Sequence, residues 1–537
     1  MKLFKKFNGL SIRILFRRYF KRTNKIRFFF LLNTLPYKII SLIIRSYFGS
    51  WQIVKCIFVR HGISEGDIVP GESDIDFGII IKDAPLKEEK NFVMLFWKRY
   101  LSFKRIFPML GEVEIYTERE FELWHFSPSI EPKRFNNVKY ITNLEKRNNS
   151  KNEVPDRASV INETLMYFQF YSMFYFGAVT GKTFTKYILK TVKALICCKN
   201  NNLESISRSR QDMESLLRNI YPELGKTIAI LKTKQWVNLD DFDVTFCLNF
   251  IENELSQAIQ NSPSNLQEKE HLYRIIYKNE RLTSKILYNK LKEFIEELKK
   301  AMPRTETHLL PGNLNAAGFV SDYSNKLYLV FDNEQNTFTD TLRLVSKIIQ
   351  KYLPRWPYNY FGSFAHPIIL SKSMFDYLIN NLNPLDFIVL KTEISKEERT
   401  CYIKDGIILK QFSGALTYER SLFNKPFIVR NADRDRGSEL ALIDLVLDTL
   451  RKRLFLEKNI IALSVNDIVE SYIKEFPKDN QIEWLKNFHR KYSGLGEESI
   501  DKIPRLKDLY NESYDFLYLQ KKNILENIDN ILLADKN

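Results

Sequence analysis

Asp74 and Asp76 stand two residues apart in the run SDIDFGIII, residues 73–81. If that run is a strand, alternation puts both carboxylates on one face and sends Ile75 and Phe77 to the other. Two carboxylates about 7 Å apart along a strand repel each other, and a hard divalent cation relieves the repulsion. Mg²⁺ suits them best, with Mn²⁺ as the alternative. A third oxygen ligand is expected from a neighbouring strand. GEVEIYT, residues 111–117, offers Glu112 and Glu114 on one face; Glu114 is the expected ligand and Glu112 its substitute. Such a set can hold a triphosphate tail and lower the pKa of an attacking hydroxyl. Glu114 could also accept that hydroxyl's proton.

The loop that leads into the pair carries Gly62, Gly66 and Gly71, and a residue without a side chain lets backbone N–H groups approach phosphate oxygens. A bare DxD is a weak signal, because DDFD at 240–243 has the same composition and no such loop before it. The whole stretch RHGISEGDIVPGESDIDFGIII resembles the nucleotidyltransferase superfamily of DNA polymerase β type. That family's pattern is a Gly-Ser dipeptide, a short Gly-containing loop, a hydrophobic-Asp-hydrophobic-Asp strand and a later acidic strand residue. Gly66, Ser73, Asp74, Asp76 and Glu114 match it, over about residues 51–124. The resemblance implies an enzyme that moves a nucleotide from a nucleoside triphosphate, expected to be ATP, to an acceptor hydroxyl. It also implies that His61, Gly62, Gly66 and Ser73 contact the nucleotide. One departure stands out: His61 and Gly62 occupy the Gly-Ser dipeptide. An imidazolium there could donate to a polyphosphate. It could equally mark a weakened nucleotide- or nucleic-acid-binding protein on the same fold.

The elements that must position these residues follow from periodicity. QIVKCIFVR is a short β-branched run, residues 87–107 have helical spacing, and GEVEIYT is again a strand. Strand, loop, strand, helix, strand is a compact α/β unit, so the expected class is an α/β (α+β) nucleotidyltransferase core with helical domains. The expected boundaries are a basic amphipathic lead-in over 1–50, the catalytic domain over 51–150 and a helical domain over 151–305. A degenerate nucleotidyltransferase-like copy is expected over 306–430 and a C-terminal helical domain over 431–537. The copy is suggested by element order: residues 73–80 fall on 324–331 and residues 113–124 on 367–378. In that register Asn325, Leu327 and Ile368 replace Asp74, Asp76 and Glu114, so the copy has no metal chemistry. The aromatic run MYFQFYSMFYF is read as core and not as a base-stacking surface.

Composition bounds the rest. With 44% apolar residues the 537-residue chain can bury several cores. Cys56, Cys197, Cys198, Cys247 and Cys401 show no CxxC spacing, which points to a reducing cytoplasm and away from disulfides or zinc. The net charge is +16, yet residues 1–50 alone hold 12 Lys and Arg and no acid. Either this segment docks on RNA, anionic lipid or an acidic partner, or its apolar stripe packs on the following domain and its basic face meets solvent. The second arrangement is the expected one. Asn33, Pro36, Lys38 and Arg45 interrupt the apolar stretch and argue against a membrane span.

Overall fold

The computed structural model describes residues 19, 23, 27–60, 68, 70–71, 73–121, 161, 171, 174, 179–200, 210–261, 270–276, 285–303, 306–310, 326–331, 337–352, 368–381, 399–404, 437–462, 465–492 and 506–534. The fold is mixed α/β, mostly helical with small sheets, and the chain divides into two compact units. One comprises Met1–Glu153 with Ser413–Asn431, the other Val154–Phe412 with Ala432–Asn537.

In the first unit, helix α1 (Arg27–Gly49) leads into β1 (Val54–Arg60), β2 (Ile75–Ile81), α2 (Leu86–Ile106) and β3 (Leu110–Thr117). The sheet order is β1-β2-β3, with β1 antiparallel and β3 parallel to β2. The runs VKCIFVR and IDFGIII are almost wholly buried, as suits β-branched and aromatic residues covered on both faces. The α2 crossover makes the parallel pairing possible. Glu88 and Glu89 in its first turn and Lys104 and Arg105 in its last complement the helix dipole. Its buried stripe of Phe92, Phe96 and Tyr100 meets α1 through Phe48, whose ring centroid is 4.7 Å from that of Phe96.

The second unit runs α3 (Gly181–Asn200), α4 (Arg210–Ile220), α5 (Pro222–Thr233), α6 (Phe242–Gln260), β4 (Glu270–Ile276), α7 (Lys285–Ala301), β5 (Glu306–Leu310), β6 (Lys326–Phe331), α8 (Phe338–Tyr352), β7 (Ile368–Ser371), α9 (Lys372–Asn381), β8 (Arg399–Lys404), α10 (Gly437–Lys458), β9 (Ile460–Ala462), α11 (Val465–Glu475), α12 (Ile482–Tyr492) and α13 (Leu506–Ala534). Among the described residues its strands form the sheets β5-β6-β7 and β8-β4-β9. Tyr171 and Phe174, the described members of the aromatic run, are buried.

The β5-β6-β7 sheet has the strand order and directions of the first sheet, with α8 where α2 stands. Both third strands end in a hydroxyl that caps the next helical turn. Thr117 Oγ1 accepts from Glu120 N, while the Glu120 carboxylate accepts from Thr117 N, a reciprocal cap; Ser371 Oγ accepts from Met374 N. Matching Thr117 to Ser371 keeps the offset of 254 read from the sequence. The ladders then pair Ile81 with Thr117 and Phe331 with Ser371, so the central strands match at an offset of 250, one residue from the sequence alignment. Arg60 opposite Asp76 corresponds to Leu310 opposite Lys326. A one-residue slip reverses the faces of a strand, so the position matching Asp76 is Lys326 and not Leu327. No acid stands there in either register.

The third sheet was not foreseen. EHLYRII lies in a region read as helical, but it forms β4 and pairs with β8 and β9, from sequence more than a hundred residues further on.

Candidate active site

The first sheet ends in an acidic edge where β1 finishes and β2 and β3 begin. Asp74 is exposed and immediately precedes β2; Asp76 is the second residue of the strand and is partly buried. Regular pairing of β2 with β3 is interrupted between Ile75 and Phe77. In that irregularity the backbone of Gly111 and Glu112 comes up against Asp76, and Glu112 N donates to Asp76 Oδ1 at 2.7 Å. A side chain at 111 would have to displace the Asp76 carboxylate: a Cβ there would lie 2.0 Å from Asp76 Oδ1 and 2.9 Å from Asp74 Cβ. Helix α2 holds the same point from behind, with Lys104 Nζ and Tyr100 Oη donating to the Gly111 carbonyl at 3.0 and 3.2 Å.

The electrostatics match this crowding. Burial pushes the Asp76 carboxyl up to about 6, repulsion from Glu112 and Asp74 adds to the rise, and the Glu112 N–H bond and Arg60 oppose it. Glu112 is also raised, by lost hydration first and by Glu114 next. Tyr100 is held well above its ordinary value by burial and by the nearby carboxylates, so its phenol stays neutral and keeps donating.

Of the residues expected from sequence, Asp74, Asp76 and Ser73 meet at this edge. Glu114 lies on the same face as Glu112 but further along β3, beside Gly78. Its carboxylate pairs with Arg60 and accepts from the Tyr116 hydroxyl. Glu112 is therefore the β3 acid next to the Asp pair, and Glu114 is engaged by a cation. His61, Gly62 and Gly66 lie outside the described residues. The loop's far end is described at Gly71, which takes φ 82°, a left-handed value natural to glycine, and donates its N–H to Tyr37 Oη of α1 at 2.7 Å.

Arg60, Tyr37 and Lys104 escaped the sequence reading. Arg60 had a legible signal, since it closes a strand directly before the Gly-containing loop. Tyr37 and Lys104 act from helices and had none.

The DDFD segment behaves differently. Lys234 pairs with Asp241 and Asp243 at 3.4 and 3.0 Å, and Arg343 Nε lies 3.1 Å from Asp240. These acids begin α6 and are balanced by cations. Among the described residues no three His, Cys, Asp or Glu side chains are placed so that they could hold a metal ion together. Asp74, Asp76 and Glu112 nonetheless carry only oxygen donors, the kind a hard cation takes, at neighbouring positions of the β2–β3 edge. No protein-family model, no curated protein and no solved structure matches the chain.

Proposed function

We propose that the chain is a metal-dependent nucleotidyltransferase of the DNA polymerase β type, with its catalytic centre at the β2–β3 edge. One observation carries the reading: Asp74, Asp76 and Glu112 are gathered at one sheet edge, where Gly111 and the Glu112 N–H close on Asp76 and burial, with repulsion from Glu112 and Asp74 added, pushes its carboxyl up to about 6, a cost that folding alone gives no reason to retain. Asp74, Asp76 and Glu112 would hold Mg²⁺ or Mn²⁺, and Glu114, favoured from the sequence, stands next along the strand. Such an ion, when bound, neutralises a triphosphate and activates an acceptor hydroxyl.

The chain's own groups supply the remainder. Arg60, aligned with Asp76 and steadied by Glu114, presents a guanidinium to the phosphates of ATP or another nucleoside triphosphate. Ser73 and the preceding loop, with His61, Gly62 and Gly66, would contribute phosphate donors. The acceptor hydroxyl, on RNA, protein or a small molecule, attacks the α-phosphorus. Its proton passes to a carboxylate of the cluster, and the bond to pyrophosphate breaks. The β5-β6-β7 sheet is a degenerate copy of this unit, which the shared topology and the matching caps support. A cytoplasmic setting agrees with cysteine usage.

The Arg60–Glu114 pair also supports a second reading, a nucleotide-binding protein with weakened turnover. Incubation with Mg²⁺ and labelled nucleoside triphosphates distinguishes them. The enzyme releases pyrophosphate and Asp74→Ala lowers the rate at least about a thousandfold; release that survives Asp74→Ala discards the site. Glu112→Gln is expected to cost more activity than Glu114→Gln, and the reverse order would return the third ligand to Glu114.

A further inference from the structure

Helix α1 is apolar on two opposite faces. Tyr37, Ile40, Ile44 and Phe48 are buried on the side where α1 packs on β1 and, through Phe48, on α2. Half a turn away, Phe28, Leu31, Leu32, Leu35, Ile39 and Leu42 form a second stripe, and all of them are exposed, Phe28 and Leu31 by 65% and 63%. These positions recur every three to four residues and run along about 21 Å of one helix face. The expected arrangement, a buried apolar stripe with a basic face in solvent, is half met: the outward face of α1 is apolar. Its cations, Lys38 and Arg45, flank the stripe along one edge, by helical position. A continuous outward stripe of this size marks a surface that is covered in use.

Charge selects what covers it. Residues 1–50 contain 12 Lys and Arg and no Asp or Glu. A second copy of this segment would bring like charge against like charge, and a nucleic acid offers nothing to Leu and Ile side chains. An anionic lipid surface satisfies both features, taking the apolar stripe at the acyl boundary and the cations among its headgroups. We propose that α1 docks the protein in the plane of an anionic membrane. No described helix is long and apolar enough to cross one, so the contact is peripheral.

Co-sedimentation of the full chain with vesicles of phosphatidylglycerol and phosphatidylcholine, against phosphatidylcholine alone, tests this. The protein is expected to pellet with the anionic vesicles. Leu31→Ser/Leu35→Ser/Leu42→Ser should reduce that binding about tenfold or more while leaving the circular dichroism unchanged. Lys38→Gln/Arg45→Gln should narrow the preference for anionic over neutral vesicles. Failure to pellet, or equal pelleting of the triple serine variant, overturns the proposal. A triple serine variant that loses self-association in sedimentation velocity, with no lipid binding by the parent, overturns it in favour of a dimer. One that loses thermal stability, again without lipid binding, shows that the chain covers its own stripe.

Discussion

The β1-β2-β3 and β5-β6-β7 sheets share strand order, strand directions, an intervening helix and a capping hydroxyl after the third strand. They differ at the start of the central strand. The first carries Asp74 and Asp76 against Glu112; the second has Lys326 at the position of Asp76, paired with Leu310. The architecture therefore forms without the carboxylates. Asp76 and Glu112, when ionised, oppose folding, since burial raises both and the native state holds their charges less readily than water does. The comparison separates what the topology needs from what the chemistry needs.

The largest expected break in that comparison comes from Gly111→Ala. The added methyl must displace the Asp76 carboxylate, so the proposed nucleotidyl transfer should fall to background while the fold survives, with a loss of about 1 to 3 kcal/mol by urea unfolding. Retained activity would show that Asp76 works from some other position.

Asp76→Asn should separate function from stability in the opposite direction. Asp76 titrates near 6 in the folded protein against 3.8 in the unfolded chain, so the favourable contribution of the protonated acid is complete below about pH 4 and is lost as pH rises through about 6. Asparagine, which never ionises, should stabilise the protein by up to about 3 kcal/mol at pH 8, and that advantage should fade as pH drops below about 4. Adding Mg²⁺ at pH 8 should raise the melting temperature of the parent more than that of the asparagine variant. An advantage that is independent of pH would assign the gain to packing.

The smallest effect sharpens the likeness of the sheets. Thr117→Ala and Ser371→Ala each remove one helix cap and should each cost about 1 kcal/mol in denaturant unfolding. Unequal costs would mean that the two hydroxyls, though aligned, do different work.

Much of this region was legible in the sequence because its signals are local. The strand at β2, the helical stripe from Phe92 to Tyr100 and the Asp pair are all set by spacing within about twenty residues. The register between strands was not legible. Whether Glu112 or Glu114 sits beside Asp76 depends on the ladder irregularity at Gly111, which no alternation pattern reveals. The same blindness shifted the second central strand by one residue, from Leu327 to Lys326. The β8-β4-β9 sheet was hidden for a related reason, since EHLYRII acquires its partners only from Arg399–Lys404 and Ile460–Ala462.

Tyr37 belongs to the basic lead-in, yet its hydroxyl accepts the N–H of Gly71, three residues before Asp74. A chain trimmed to begin at Trp51 would lose that anchor along with the outward stripe. Truncation thus removes both features at once, whereas point substitutions on the two faces of α1 test the proposed membrane contact and the proposed catalysis separately. One helix thus holds the loop before Asp74 on its inner side and carries an exposed apolar stripe on its outer side.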